Sequence, residues 1–410
     1  MKKISIVIPL FTIEARIKRS LRKHLKRAGF IHVSSGALSP SNDAKETIRD
    51  LHRGQRIELL EQERSFIKKS WPELKKHFAN GRDILPEKID PVLEIVYSKT
   101  WQSELFRFAT LLWTIPVSRG YGRRLRFLVW DNSNHKLIGL IGLGDPVFNL
   151  KVRDQTIDWT AAQRESKLVN LMDAYVLGAV PPYNSLLCGK LIACLVRSKD
   201  IRDIFSAKYS RTIGIISGKS KNAKYIAVTT SSALGRSSIY NRLSLNGIKY
   251  FRSIGYTSGW GHFHIPDSLF TLMRKYLDLK GHNYAENHQF GEGPNWRLRA
   301  IRETMRMLNL NANLLRHGIL REVFICEVAS NATRYLQQKV YRAQYRGLLS
   351  VKDIASEALK RWIIPRSIRN DQYLNWDREH VMLLLERGRA PIAESGTTVR
   401  EVRNSGAGKL

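Results

Sequence analysis

The 410-residue chain contains little cysteine, little acidic charge and no long apolar run. Its three cysteines, Cys188, Cys194 and Cys326, lie too far apart for a paired zinc-ligand pattern, and their odd number argues against a disulfide framework. No stretch reaches the roughly 18 consecutive apolar residues that a membrane-spanning helix requires. We therefore expect a protein of a reducing compartment, which excludes disulfide-stapled secreted domains and integral membrane proteins.

The first residues resemble a signal peptide only in part. Lys2 and Lys3 precede an apolar segment that runs from Ile4 to Ile13. However, Glu14 and a dense basic run follow this segment directly, and no small-residue cleavage site separates them. We therefore expect a mature cytoplasmic chain.

Acidic residues are scarce relative to basic ones, with 36 Asp and Glu against 68 Lys and Arg. The formal net charge is +32, and residues 1–130, 131–270 and 271–410 contribute +13, +9 and +10 to it. Because every part of the chain carries the surplus, we expect a broad basic surface and not a basic tail. Such a surface favours a polyanionic partner, with nucleic acid first and an anionic membrane second.

A basic helix is predicted near the N-terminus. An apolar residue recurs every four positions, at Ile13, Ile17, Leu21 and Leu25, and Gly29 is a suitable C-terminal stop. The remaining positions are mostly basic, at Arg16, Lys18, Arg19, Arg22, Lys23, Lys26 and Arg27. Two interpretations stay open. The helix lies along nucleic-acid phosphates, whose condensed counterions Lys and Arg displace, or it is a solvated surface helix.

The pattern along the chain predicts an α+β protein with a mixed central sheet and helical flanking regions. We divide it into a mostly helical basic region (1–118), an α+β core (119–267), a helical C-terminal region (268–390) and a flexible tail (391–410). In the core, segments 126–130 and 136–144 predict a hairpin. Further strands are predicted at 173–180, 225–230 and 260–265, and helices at 44–80, 189–197, 333–347 and 351–362.

No nucleotide-binding loop is predicted. In segment 214–220 the spacing is one residue short of the phosphate-loop pattern G-x-x-x-x-G-K-[ST]. Segment 405–410 lacks both the hydroxyl residue and a following helix. Any ATP-driven motor that acts with this chain is therefore expected to be another polypeptide.

His262 and His264 flank a phenylalanine on a predicted strand, where residues two apart share a face. Two imidazoles so placed can hold a divalent metal, Mg²⁺ or Mn²⁺, that polarises a DNA phosphate while a tyrosine attacks it. The spacing resembles that of rolling-circle initiators and relaxases. Nucleophile candidates are Tyr276 and Tyr284, and third-ligand candidates are His282, Glu286 and His288. The alternative is a pair of polar residues that form hydrogen bonds or touch phosphate, with no metal at all.

Two more segments are predicted to contact phosphate. Loop 229–242 offers Arg236, Ser237 and Arg242, with a capped turn into a helix as the alternative. On a second predicted helix, an apolar stripe of Leu298, Ile301, Met305 and Leu308 lies apart from a basic series of Arg297, Arg299, Arg302 and Arg306. The last three arginines share one helix face. The alternative is a salt-bridged surface helix, for which Glu303 is the one nearby acid.

The order of elements in the core also resembles the layout of the GCN5-related acetyltransferases: a hairpin, a strand, a turn, a helix and a late segment at 251–256. That family cradles the coenzyme A pyrophosphate with a loop of the form Q/R-x-x-G-x-G/A. The corresponding stretch here, 183–190, lacks the paired glycines that let backbone amides approach phosphates. The resemblance therefore implies an acetyltransferase-like fold without activity.

Several long sequence segments of the core resemble the DruA family, which is named for the A component of the bacterial Druantia anti-phage defence systems. They read GYGRRLRFLVW at 120–130, LIGLIGLGDPVF at 137–148, YVLGAVPPYN at 175–184, TTSSALGRSSIYNR at 229–242 and GWGHFH at 259–264. The likeness runs from about 119 to 340 and includes GPNWR at 293–297 and HGILREVF at 317–324.

This resemblance implies an intracellular defence protein that is encoded with a large helicase-like partner and further accessory proteins. From this resemblance and the positive charge we expect a component that binds nucleic acid, most simply DNA, and holds it for the helicase-like partner. The alternatives are a metal-dependent nuclease and an inactive acetyltransferase-like scaffold. No cofactor is certain beyond the divalent metal of the nuclease hypothesis. A homo-oligomer is compatible with the sequence, and no membrane association is expected.

Overall fold

The computed structural model describes residues 12–33, 35–42, 44–118, 122–213, 218, 220–285 and 294–388. The helices are α1 Ile13–Arg27, α2 Lys45–Gln62, α3 Arg64–Leu74, α4 Trp101–Thr110, α5 Lys151–Ile157, α6 Ala161–Lys167, α7 Cys188–Leu195, α8 Lys199–Tyr209, α9 Asp267–Leu279, α10 Pro294–Met307, α11 Ala332–Leu336, α12 Val351–Ala358, α13 Ile364–Arg369 and α14 His380–Arg387. A π-helical turn, Leu359–Ile363, joins α12 to α13.

The strands are β1 Ile31–His32, β2 Leu38–Ser39, β3 Pro91–Ile95, β4 Arg124–Asp131, β5 Lys136–Gly144, β6 Leu171–Ala179, β7 Thr212–Ile213, β8 Ser220–Lys221, β9 Ala227–Ser231, β10 Ser244–Leu245, β11 Ile248–Lys249, β12 Arg252–Tyr256 and β13 Glu322–Glu327. Seven of them form one sheet in the order β12-β13-β9-β6-β5-β4-β3. All of its neighbours are antiparallel except β6 and β9, which run parallel, so the sheet is mixed.

The parallel pair needs a crossover, because a tight turn can join only antiparallel neighbours. Helices α7 and α8 provide it, and α7 packs on β6 with its apolar residues, such as Leu191 and Ile192, fully buried. Strand β5 is buried along almost its whole length, which places it in the middle of the protein. These observations confirm an α+β protein built on a mixed central sheet with flanking helices.

A separate helical core lies beside the sheet. Helices α1 and α10 both pack against α9. The buried residues of this core include Ile17, Leu21 and Leu25 of α1, Met273 and Leu277 of α9, Ile301 and Met305 of α10, and Leu308 directly after α10. The predicted apolar stripes of α1 and α10 therefore face this core, and the opposite faces of both helices are left to solvent.

Three secondary-structure predictions were wrong. Segment 260–265 is not a strand: Trp260 forms an isolated bridge with Arg316, and the following residues form a turn. The predicted helix 333–347 ends at Leu336, and a loop follows it. Strands β3 and β13 lie in regions predicted as helical, so the sheet takes strands from both sides of the predicted boundaries at 118 and 267. The four central residues of β13, VFIC at 323–326, form a buried apolar run, and periodicity alone does not separate such a strand from a buried helix.

Among the described residues, no helix combines the length and the apolar character needed to cross a bilayer. Cys188, Cys194 and Cys326 are all buried, and each has a free thiol. Of the two segments compared with the phosphate-loop pattern, residues 214–217 and 219 of the first and all of the second, 405–410, lie outside the described residues. The predicted tail, 391–410, also lies outside them.

Candidate nucleic-acid interface

Helix α1 presents a continuous basic face. Its N-cap is Thr12, whose hydroxyl oxygen accepts a hydrogen bond from the Ala15 amide at 3.2 Å. The stripe of Ile17, Leu21 and Leu25 is at most 2% exposed. Lys18 is half-buried, and the exposed basic residues are Arg16, Arg19, Arg22, Lys23, Lys26 and Arg27. The helix therefore turns its cations to solvent because its apolar residues are used in packing.

Counter-charge on α1 is scarce. Its single acid, Glu14, pairs with Lys280, with 3.5 Å between Oε1 and Nζ. Within the described part of the chain, no ion pair involves Arg16, Lys18, Arg22, Lys23, Lys26 or Arg27. Neighbouring cations without acidic partners repel one another, and a polyanion that binds along the helix relieves that repulsion.

An open groove of about 700 Å³ lies along α10. Three arginines line it, Arg299, Arg302 and Arg306, as the helical spacing predicts. Its other polar side chains come from Glu303, Tyr284, Asn309 and Asn311. The groove thus combines guanidinium donors with amide groups, which is a composition suited to phosphate and sugar oxygens.

The four candidate arginines of α10 have different environments. Arg297 is held by the protein: its guanidinium donates to Asp267 and to the Ile265 carbonyl, each at 2.6 Å, and lies over the Phe270 ring, 4.3 Å from its centroid. Arg306 pairs with Glu303, to which its Nε donates at 3.1 Å. Arg299 and Arg302 are exposed and form no ion pair within the described residues. Arg297 is therefore a structural residue, whereas Arg299 and Arg302 are available to a ligand.

A short segment after α9 connects α1 to the groove. Lys280 pairs with Glu14 at the start of α1, and His282 lies 3.5 Å from Glu303 on α10. Tyr284 then lines the groove itself. The basic face of α1 and the α10 groove are thus joined through residues 280–284. We refer to Arg16, Arg22, Lys23 and Lys26 of α1, with Arg299 and Arg302 of α10, as the basic surface.

The second candidate site, His262 and His264, lies inside the protein near the basic surface. His264 is only 3% exposed, and its Nε2 bonds to the Leu314 carbonyl at 2.8 Å. Burial lowers the pKa of both imidazoles to about 4. Neutral, packed imidazoles agree with the hypothesis of two polar residues that form hydrogen bonds.

Two further histidines, which no sequence pattern predicted, join His264 around the Phe263 ring. The His52 ring stacks on Phe263 at 4.1 Å between centroids, and the His317 ring meets it edge-on at 4.7 Å. We refer to His52, His264 and His317 as the histidine cluster. Burial lowers the pKa of His52 to about 4 and that of His317 to about 3. Contacts from α2 and from the segment before β13 build this cluster, so local spacing could not reveal it.

The bonding of His52 and His317 is compatible with neutral imidazoles. The Nδ1 atom of His317 accepts from the Ile319 amide at 3.2 Å, which requires that this nitrogen carry no proton. Arg321 Nη2 lies 3.2 Å from His52 Nε2 and donates to it. A guanidinium therefore occupies the position on His52 from which a metal would be bound, and its positive charge opposes a divalent cation.

Within the described part of the chain, the predicted ligands do not come together as a metal site. Among the residues described, no group of three or more His, Cys, Asp or Glu side chains could hold a metal ion. Glu286 and His288 lie outside the described residues, and His282 contacts Glu303. Tyr276 is 2% exposed and belongs to the helical core, while Tyr284 packs partly against it.

Loop 229–242 forms a capped turn. The Ser237 hydroxyl oxygen accepts from the amides of Ile239 and Tyr240, at 3.2 and 3.1 Å, ahead of a short 3₁₀ helix, Tyr240–Arg242. Glu322 fixes this turn by accepting from the Ser237 amide at 3.0 Å. The Ser237 hydroxyl thus caps the turn, as the alternative interpretation predicts. Arg236 and Arg242 are exposed, and their contact with phosphate stays a prediction.

Comparison with known proteins gives one consistent family. The family model described as "Druantia protein DruA" matches residues 42–338. A curated protein of Escherichia coli (strain UMEA 4076-1), also named "Druantia protein DruA", is 54% identical over 372 residues, which cover 91% of this chain and 92% of that protein. No solved structure matches the chain.

Proposed function

The chain belongs to the DruA family, and we propose that, as a component of a Druantia anti-phage defence system, it binds nucleic acid, DNA in the first instance, through the phosphate backbone. The proposed contacts are the basic surface, assisted by Arg19 and Arg306. In this proposal the protein holds DNA from the invader for a helicase-like partner of the same system.

One observation carries the proposal: cations are concentrated, exposed and without acidic partners on two joined elements. Among the described residues, Arg297 and Arg306 form ion pairs, whereas Arg299, Arg302, Arg16, Arg22, Lys23 and Lys26 do not. Each such cation that meets a phosphate releases condensed counterions, and this release supplies affinity without base recognition. The net charge of +32 adds long-range attraction that speeds the encounter with DNA.

Two alternative functions have less support. A metal-dependent nuclease would use His262 and His264, which the structure surrounds with other imidazoles and with Arg297 and Arg321. For an inactive acetyltransferase-like scaffold, the support is the antiparallel run β4-β5-β6, followed by α7 and the parallel strand β9. This second idea concerns the fold and is compatible with nucleic-acid binding elsewhere on the molecule.

Binding to labelled single-stranded and duplex DNA at several salt concentrations tests the proposal. We expect log affinity for duplex to fall linearly with log salt, by about 0.9 for each phosphate neutralised. The triple variant Arg16→Glu, Arg22→Glu and Lys23→Glu should bind roughly 100-fold more weakly and with a shallower slope, because three phosphate contacts are lost and replaced by repulsion.

A matched control separates the basic surface from net charge. Lys68→Glu, Lys69→Glu and Lys88→Glu change the charge equally at exposed positions elsewhere. Equal losses in both triple variants, or an affinity for the unmodified protein that does not respond to salt, would contradict the proposal. Cleavage of the DNA in Mg²⁺ or Mn²⁺ that disappears in His262→Ala with His264→Ala would favour the nuclease instead.

A further inference from the structure

The loop after α11 displays a tyrosine that packing does not explain. Tyr341 is 90% exposed, more than any other large hydrophobic residue in the described part of the chain. Two neighbouring tyrosines, Tyr335 and Tyr345, pack instead against the core formed by α11 and the start of β6. Burying an aromatic side chain stabilises a protein, and an ordered tyrosine in water forgoes that contribution.

The loop holds this position through specific bonds. The Asn331 side chain donates to the Arg342 carbonyl and accepts from the Gln344 amide, both at 2.9 Å. Val340 and Ala343 pack on the core from either side of Tyr341 and Arg342. The ring of Tyr341 is therefore presented by a fixed backbone, which lowers the entropy lost when it binds a flat partner.

The segment of the chain that contains Tyr341 is basic and has no acidic residue. No Asp or Glu occurs between Glu327 and Asp353, whereas the same interval contains Arg334, Lys339, Arg342, Arg346 and Lys352. Nearby, the amino groups of Lys167 and Lys224 both lie over the Tyr335 ring, at 4.8 and 5.2 Å from its centroid. A segment with exposed cations on both sides of a free aromatic ring suits a nucleobase with its flanking phosphates.

Resting on the proposed function, we infer that loop 337–346 is a second nucleic-acid contact, at which an unpaired base of a single strand stacks on Tyr341 while Lys339 and Arg342 bind the adjacent phosphates. A base inside a duplex is stacked on both faces, so only a single strand or an unpaired end offers a free face. The site therefore favours single-stranded nucleic acid, whereas the phosphate contacts of the basic surface do not require an unpaired base.

The test measures binding of the full chain to oligo(dT), to oligo(U) and to a duplex of equal length, by fluorescence anisotropy. Stacking on one aromatic ring contributes about 1–3 kcal/mol, so Tyr341→Ala should weaken single-strand binding between about 5- and 150-fold. Duplex affinity should change less than about twofold, since the duplex offers no free base. Tyr341→Phe keeps the ring and should retain the affinity. Tyr97→Ala, at another exposed tyrosine, is the matched control.

Each other outcome overturns the inference. An unchanged single-strand affinity in Tyr341→Ala, or an equal loss on duplex, removes the stacking site but leaves the proposed function intact. Loss of single-strand affinity in Tyr341→Phe as well would assign the effect to the hydroxyl.

If the unmodified protein binds no nucleic acid at any salt concentration, the proposed function fails and this inference fails with it. Loss of association with a protein partner, at constant nucleic-acid affinity, would make the loop a protein-docking surface. Weakening on oligo(dT) alone or oligo(U) alone, with the other unchanged, would contradict stacking, which both bases permit.

Discussion

The basic surface and the histidine cluster are neighbours that use their polar side chains in opposite ways. The cations of α1 and α10 are exposed and largely without acids, whereas His52, His264 and His317 are at most 5% exposed and neutral. Lys and Arg are almost never buried without a partner, so their spacing on a helix predicts a solvent face reliably. Histidine is charged or neutral according to its surroundings, so its spacing predicts much less.

The largest difference that we expect between the two regions is their response to low pH, which should destabilise the histidine cluster but not change the charge of the basic surface. The pKa values of His52, His262 and His264 are about 4 and that of His317 is about 3, against about 6.5 in an unfolded chain. The unfolded state therefore binds more protons below pH 6.5, and stability falls as the pH falls from 6.5 towards 4. Each histidine should lower the free energy of unfolding by about 2 kcal/mol between pH 7 and 5, as measured by urea unfolding.

Two controls belong to this measurement. His52→Gln should remove about one histidine's share of the pH dependence of the free energy of unfolding. DNA affinity, in contrast, should stay constant wherever the protein is still folded, because arginine and lysine do not titrate in this range. A stability that is flat from pH 7 to 5 would show that the cluster is not buried as described.

Arg297 tests the boundary between the two regions, because it lies on α10 but serves packing. In Arg297→Ala the ion pair with Asp267, the bond to the Ile265 carbonyl and the contact with Phe270 are all lost. We expect the free energy of unfolding to fall by about 2 kcal/mol, with DNA affinity changed less than about twofold. Arg299→Ala, on the same helix, should leave stability within about 0.5 kcal/mol. A large loss of affinity in folded Arg297→Ala would place Arg297 among the DNA contacts.

The sequence predicted the elements whose pattern is local. The hairpin of β4 and β5, the strand β6, the helix α7 and the basic faces of α1 and α10 all follow from periodicity within one segment. The three groove arginines share a face because a helix brings residues three and four apart together. These predictions needed no knowledge of what the rest of the chain does.

The predictions that depended on distant residues were wrong or incomplete. Segment 260–265 has strand-like composition, but its partner is the single residue Arg316, and a turn replaces the expected pairing. Arg297 fits the basic series of α10, yet Asp267, 30 residues earlier, determines its role. Tyr341 lies within the predicted helix 333–347, yet its exposure depends on Asn331, which fixes the loop. In each case tertiary contacts override a local pattern.

The smallest expected difference lies within the groove itself, between Arg302 and Arg306. Arg306 is already paired with Glu303, whose pKa the Arg306 hydrogen bonds lower, so its charge is partly neutralised before DNA arrives. Arg302→Ala should weaken duplex binding about fivefold and lower the salt slope by about 1, whereas Arg306→Ala should weaken it less than about twofold. Glu303→Gln should release Arg306 and raise affinity about two- to threefold, because this change also removes the acid that repels phosphate. Equal losses in the two arginine variants would mean that Glu303 does not hold Arg306 in solution. The exposed ion pair between Arg306 and Glu303 would then have no effect on which arginine binds DNA, since exposed ion pairs are commonly weak.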